Sequence, residues 1–229
     1  MADFVRQRGF SLGLVVLVMA VASLVQGAIT YTFAFGELRG PLGLLTTLAK
    51  FIYFMRWSLV AVMVVLWLLK KKRVLFVLVM IVNAVSTLVL LVDTGFLTSE
   101  LTGLSARTVK EVLLDAALMA VSNILVFSVW YWVIDPPGID KEQRTSEQWA
   151  FLFPQRAVSV PTFEGWQPGY ADYLFVAFTT SFAFSPSDAL PLTRTAKMLM
   201  LLQATISVIT LTGIAGSAIS ILAGSASGR

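Results

Sequence analysis

The last apolar segment of the chain carries polar side chains at a regular spacing. Gln203, Ser207, Thr210 and Ser217 follow one another at intervals of four, three and seven residues, so in a helix they share one face. Such a stripe either lines a water-filled pore in an oligomer or packs against a neighbouring helix through hydroxyl hydrogen bonds. The spacing leaves both interpretations open.

Three further polar residues, Arg56, Asn83 and Asn123, lie inside other apolar segments. Polar groups in hydrocarbon are costly and are functional candidates by default. For the two asparagines we favour interhelical hydrogen bonds over contacts along a transport pathway. Arg56 either extends its guanidinium to the interface or pairs with Asp93 or Asp115. A voltage sensor is excluded because it needs a series of arginines.

The residue types that are missing narrow the chemistry further. The chain has 229 residues with no Cys and no His, which excludes disulfides, iron–sulfur clusters, histidine-ligated haem, the common zinc sites and Ser-His-Asp catalysis. Asp172 and Asp188 have no recognisable nucleophile or metal partner. We therefore predict no enzyme, no metal site and no cofactor.

Composition dictates the elements that must position these side chains. The chain is 57% hydrophobic and 13% charged, about half the charge of an ordinary soluble domain. A spanning helix needs about 20 mostly apolar residues. Five segments meet that length: 10–33, 51–69, 74–92, 109–134 and 198–222. These features predict an all-α polytopic membrane protein in a lipid bilayer, with a three-helix membrane region over 1–108 and a second region over 109–229.

The basic residues lie at the ends of apolar runs, where they indicate membrane orientation rather than nucleic-acid binding. Lys70, Lys71, Lys72 and Arg73 form the tightest cluster, between the second and third predicted spans. Positive charge in short loops favours the cytoplasmic side. The N-terminus is then cytoplasmic, the loop 93–106 lies outside and the fourth span returns to the cytoplasm.

The polar linker 135–169 is the only sizeable segment without membrane character. Pro136-Pro137-Gly138 ends the fourth span because proline cannot continue a helix, and aromatic residues alternate with prolines further along. These aromatics either lie at the headgroup level as an interfacial belt or belong to a loop that binds a protein partner.

The segment 170–184 is apolar over about fifteen residues, which is short for a span and more typical of a re-entrant helix. Backbone that turns back at membrane depth must be buried in protein or line a wet cavity. We predict five transmembrane helices plus this short re-entrant pore-type helix. The alternative is six transmembrane helices, with 166–184 crossing completely.

This region resembles the pore domain of potassium-channel-like proteins. Asp172 and Thr180 match the acidic start and the threonines of a pore helix, Asp188 matches the aspartate after the filter, and Pro191 with Thr193 matches a Pro-x-Thr motif. The resemblance implies a pore loop, a pore-lining last helix and assembly as a homotetramer. The implied pore-loop residues are Thr179, Thr180, Ser185, Pro186, Ser187 and Asp188.

The filter departs from the potassium-channel pattern. Serines stand where that family has glycines, and Pro186 stands where it has an aromatic residue. Glycine adopts the left-handed backbone of such a filter far more easily than serine, and proline is fixed near a φ of about −65°. We expect no potassium filter, with any selectivity coming from Ser185, Ser187 and Asp188.

A second resemblance covers most of the chain but implies no activity. Phe151-Leu152-Phe153-Pro154 and Ala183-Phe184-Ser185-Pro186-Ser187-Asp188 are similar to motifs of a bacterial integral-membrane family of unknown function. This implies a multi-pass protein of the bacterial inner membrane. Together the observations predict an oligomeric, channel-like pore for ions or small polar solutes. The alternative is a non-conducting scaffold or accessory subunit in which 135–169 binds a protein partner.

Overall fold

The structure is a computed structural model of the chain. It describes the backbone of residues 9–36, 43–101, 109–135, 149–158, 160–183 and 189–227, and the side chains of 11–29, 55, 57–99, 109–135, 149–158, 160–182 and 189–223.

Helices dominate these residues. The long helices are α1 (Gly9–Gly36), α2 (Gly43–Leu68), α3 (Lys72–Leu101), α4 (Val109–Ile134) and α7 (Arg194–Ser227). The short elements are β1 (Phe151–Leu152), α5 (Pro154–Ala157), a 3₁₀ turn (Pro161–Phe163), α6 (Tyr170–Ala183) and β2 (Leu190–Pro191).

Within the described residues, four helical stretches are long and apolar enough to cross a membrane: Ser11–Ile29, Lys72–Ser99, Val109–Ile134 and Arg194–Ala223. The apolar part of α2 that meets the same search is shorter, Trp57–Leu68. The prediction of an all-helical, multi-pass membrane protein is therefore confirmed. The exact number of spans stays a prediction.

Helix α4 is the centre of the bundle. It packs against all four of α1, α3, α6 and α7. Of its spanning window, 61% is buried inside the protein, against 28% for α7. Its largest buried side chains are Trp132, Tyr131 and Phe127. Lipid is as apolar as these side chains, so close packing rather than removal from water holds such helices together.

One end of the bundle collects basic residues. The start of α1 meets the end of α2 there, since an added Cβ on Gly13 would lie 2.8 Å from Nε1 of Trp67. The start of α3 meets the end of α4, with the rings of Phe76 and Trp132 6.1 Å apart. We call this the basic end. Among the described residues, the exposed basic ones at this end are Lys70, Lys71, Arg73, Arg194 and Lys197.

The turn between α2 and α3 is a tight one closed by a left-handed residue. Lys70 has a φ of 55°, a position that usually carries glycine at the end of a helix. Its N–H donates to Trp67 O at 3.0 Å, and the N–H of Lys71 donates to Leu66 O at 3.0 Å. These bonds satisfy the last carbonyls of α2 and reverse the chain within a few residues.

Helix α3 is longer than the sequence predicts. The loop expected from residue 93 is helical as far as Leu101, and Asp93 is buried within it. The hydroxyls of Thr94 and Thr98 donate to the carbonyls of Leu90 and Thr94 at 2.7 and 2.8 Å. Both threonine hydroxyls find their hydrogen-bond partners on carbonyls of the same helix, so the presence of polar side chains does not end the helix.

A glycine allows three helices to meet at the level of Leu97. An added Cβ on Gly213 would lie 3.3 Å from Leu97 of α3 and 3.5 Å from Ala116 of α4. No described atom lies within 4 Å of the corresponding position on Gly216. Of these two small residues, Gly213 alone therefore brings α7 close to its neighbours inside this chain.

Both flanks of α6 lie at the basic end. β1 and β2 pair antiparallel, with Phe151 opposite Pro191, and the rings of Phe153 and Trp166 are 5.8 Å apart. Helix α6 has 14 residues, or about 21 Å, against a hydrocarbon thickness of about 30 Å. The chain enters α6 from the basic end and is back at that end in β2.

Candidate functional site

The polar stripe of α7 lies inside the chain. Gln203, Ser207, Thr210 and Ser217 are all buried, and they face the helices of the same subunit. The opposite face of α7, with Leu201 as an example, is exposed. Of the two interpretations that the spacing allows, the structure shows interhelical packing. A pore-lining role for these four residues stays a prediction.

Gln203 joins three helices. Its side-chain amide donates to Ala177 O and to Ser181 Oγ of α6, both at 2.8 Å. Its Oε1 accepts a hydrogen bond from the hydroxyl of Tyr131 on α4. All four residues are buried. Because water does not reach these polar groups, their hydrogen-bond partners must come from the protein itself.

The two predicted membrane asparagines both bond to other helices. Asn83 donates to the carbonyl of Val126 at 3.2 Å. Asn123 donates to Ser207 Oγ at 2.9 Å and to Gln203 O at 3.2 Å. Because a backbone carbonyl can only accept, the nitrogen of the Asn123 amide must face Gln203, which fixes the orientation of the amide.

That orientation leaves the oxygen of the Asn123 amide without a hydrogen-bond donor in the structure. Asn123 Oδ1 and the hydroxyl of the adjacent Ser122 are buried without a hydrogen-bond partner in the structure. Ser128, six residues further along α4 than Ser122, differs: its hydroxyl donates to Leu125 O at 2.7 Å and lies 2.6 Å from the hydroxyl of Tyr170. A buried polar atom without a partner costs about 1–3 kcal/mol.

Buried polar side chains recur along the length of α4, on different faces of the helix. Between Asp115 and Asp135 the helix rises about 30 Å, close to the thickness of a hydrocarbon core. We call these residues and their α7 partners the polar column. Its members, all buried, are Asp115, Ser122, Asn123, Ser128, Tyr131 and Asp135 with Gln203, Ser207 and Thr210.

The column ends at a buried carboxylate. Asp135 accepts hydrogen bonds from the N–H groups of Ala150 and Phe151 at 2.8 and 3.2 Å and from the hydroxyl of Tyr173 at 2.6 Å. It also forms a salt bridge with Arg156 at 3.0 Å, in which both side chains are almost fully buried.

The segment 149–169 and β2 fold around this pair, and we call this unit the cap. Arg156 lies over the ring of Trp149 at 4.8 Å and donates to Phe151 O at 2.8 Å. Phe151 and Phe153 are buried. The two phenylalanines of the predicted interfacial belt therefore pack inside the cap. Sequence reasoning missed the Asp135–Arg156 pair, whose partners are 21 residues apart.

The start of α6 is fixed to α4 near the cap. The buried hydroxyl of Tyr170, the first residue of α6, lies 2.6 Å from the hydroxyl of Ser128 on α4. Of the predicted pore-loop threonines, Thr180 is buried and donates to Val176 O at 2.7 Å, while Thr179 is half-buried.

Some predicted site residues lie outside the described part. These are Ser185, Pro186, Ser187 and Asp188 of the pore loop and the side chain of Arg56. Among the described residues, no group of three His, Cys, Asp or Glu side chains could hold a metal ion. Comparisons with protein-family models, with curated proteins and with solved structures found no match. The resemblance to potassium-channel pore domains therefore stays a prediction from its motif.

The two serines of the column offer a matched test of the hydrogen-bond pattern. We expect Ser128→Ala to lower the free energy of unfolding by about 1–2 kcal/mol, because it leaves the buried Tyr170 hydroxyl without its partner. Ser122→Ala removes a hydroxyl that has no partner, so we expect it to be neutral or slightly stabilising. Equilibrium unfolding in mixed detergent micelles measures both. An equal cost at the two positions would show that Ser122 is bonded in the protein.

Proposed function

We propose that the protein is channel-like and conducts ions or small polar solutes through the interior of each subunit, along the polar column. The observation that carries this proposal is the recurrence of buried polar groups along α4 and just beyond its end, from Asp115 to Asp135, over about 30 Å. Carboxyl, amide and hydroxyl groups at membrane depth are each costly, so their recurrence over this length favours a function beyond packing.

In this proposal the chain crosses the membrane five times and α6 is re-entrant. Its length of 14 residues and the pairing of its two flanks at the basic end support an entry and return on one side. We propose that this end, with the N-terminus, lies on the cytoplasmic side of the inner membrane, which its basic residues support.

The pathway differs from that of a potassium channel. In such channels the last helix faces a shared axis, which requires a homotetramer. Here the polar face of α7 is already covered by α4 and α6, which favours a path inside one subunit. The exposed face of α7 is available to lipid or to a second copy.

A non-conducting scaffold is the second candidate function, and a specific observation favours it. The donors of Asn123 and Gln203 are both used in bonds within the bundle, as in a polar network whose role is to fix helix positions. The cap would then bind the protein partner.

Flux through purified protein in liposomes separates these readings. We expect the wild-type protein to give an ion flux above that of empty vesicles. Asn123→Leu places an apolar side chain of similar size in the column and should lower the flux at least tenfold. Thr205→Val, on the exposed face of α7, should leave the flux unchanged. Only variants that elute as the wild type on size exclusion are compared.

The pore loop provides the discriminating arm. If Asp188→Asn lowers the flux and Asn123→Leu does not, the pathway follows the motif and a shared axis instead of the column. Wild-type flux no higher than that of empty vesicles would remove the channel function and leave the scaffold.

A further inference from the structure

The outer surface of the cap is apolar. Phe151, Phe153 and Arg156 are turned inward, yet Val158, Val160 and Phe163 are 47%, 45% and 37% exposed. These three residues follow α5 and form the start and end of the 3₁₀ turn region. Three exposed apolar side chains within six residues are costly in water and point to an apolar neighbour.

This surface is continuous with the lipid-facing side of the bundle. On β2, which pairs with β1 of the cap, Leu190 is 61% exposed. Leu192 follows it, and α7 then continues with exposed Met198 and Leu201. Little of the spanning part of α7 is covered by protein within the subunit, so its apolar face is available to lipid. The exposed apolar residues of β2 thus lead from the spanning helix onto the cap.

The charges around the cap are basic. Arg194 and Lys197 are exposed at the start of α7, and Lys70, Lys71 and Arg73 are exposed in the turn at the same end. Among the described acidic residues of the cap region, Glu164 is exposed, Asp172 accepts the exposed hydrogen bond of Gly169 N and Asp135 is paired with Arg156, so the five exposed basic residues outnumber the exposed acidic ones. The exposed charge of the described residues at this end is therefore positive.

We propose that the outer face of the cap lies in the headgroup layer of the adjacent leaflet, where it binds anionic phospholipids. Val158, Val160 and Phe163 reach the boundary with the acyl chains, and Arg194 and Lys197 bind lipid phosphates. Apolar side chains flanked by basic ones are the pattern of interfacial segments, and each basic residue near an anionic surface adds attraction. The proposal does not depend on ion conduction.

The apolar part is tested with single cysteines, since the chain has none. Val160→Cys, Leu201→Cys and Lys71→Cys are labelled with the fluorophore NBD in nanodiscs of phosphatidylcholine with phosphatidylglycerol. We expect the label at 160 to resemble that at 201, with blue-shifted emission, quenching by brominated lipid and protection from aqueous iodide. The label at 71 should be quenched by iodide.

The basic part is tested by lipid preference. We expect purified protein to retain phosphatidylglycerol over phosphatidylcholine, as measured by mass spectrometry of bound lipid. Arg194→Gln with Lys197→Gln should lower that preference by about tenfold. Lys110→Gln, at the opposite end of the bundle, should not change it.

Two results would overturn the proposal. Iodide quenching at 160 as strong as at 71 would place the face in water, where a protein partner is the remaining occupant. Equal lipid preference in the double variant and the wild type would remove the anionic site. Neither result bears on the flux experiment.

Discussion

Replacing Asp135 by alanine is expected to destabilise the protein by about 3–5 kcal/mol, because it removes one partner of a buried ion pair. Asp135 accepts four hydrogen bonds, from Ala150, Phe151, Arg156 and Tyr173. Without it, the Arg156 guanidinium, almost fully buried, has no counter-charge, and the cap loses its attachment to the end of α4. Equilibrium unfolding in mixed micelles measures the loss.

Asp172→Ala is the matched control. Asp172 also accepts a backbone hydrogen bond, from Gly169 N at 2.6 Å, but at an exposed position, so we expect a loss of about 1 kcal/mol or less. A double variant, Asp135→Ala with Arg156→Met, should lose less free energy of unfolding than the sum of the losses of its two single variants. Additive losses, or equal losses at 135 and 172, would contradict a buried ion pair.

The helical part of the fold is predictable because composition carries it. Segments with an apolar character over about 20 residues have few alternatives to a membrane helix. Their ends are less predictable. Asp93 reads as the first residue of a loop, yet α3 continues through it, because Thr94 and Thr98 satisfy their hydroxyls on the helix itself.

The stripe on α7 shows what spacing alone can give. Its period predicts that Gln203, Ser207 and Thr210 share a face, and they do. The spacing does not predict whether that face lies inside the subunit or outside it, because Thr205 and Thr212 on the opposite side of the helix are polar too. The direction is set by partners on distant segments, Asn123 of α4 and Ser181 of α6, which no local pattern reveals.

The cap could not be predicted for a related reason. Asp135 precedes Pro136-Pro137, so it reads as the polar end of a helix, and Arg156 reads as one charge among many in a linker. Their pairing depends on a two-residue strand and on the aromatic residues around it. A cluster such as Phe151-Leu152-Phe153-Pro154 inside a polar linker was the available signal that the linker folds.

The second large effect is expected at Gln203, which connects α4, α6 and α7. Gln203→Leu leaves the hydroxyl of Tyr131, the hydroxyl of Ser181 and the carbonyl of Ala177 without this partner. Hydrogen bonds between membrane helices average only about 0.6 kcal/mol, but orphaned buried groups cost about 1–3 kcal/mol each. We therefore expect a loss of about 2–4 kcal/mol in mixed-micelle unfolding.

The conservative variant tells a structural role from a part in conduction. Gln203→Glu keeps an acceptor for Tyr131 but loses the amide donors to α6, so its stability should lie between that of the wild type and of Gln203→Leu. If the column conducts cations, the added carboxylate near mid-bundle should raise cation flux over anion flux in liposomes. Thr205→Leu, exposed two residues along α7, should change neither quantity. A Gln203→Glu protein that is less stable but has unchanged ion preference would assign Gln203 to packing alone and move the pathway away from it.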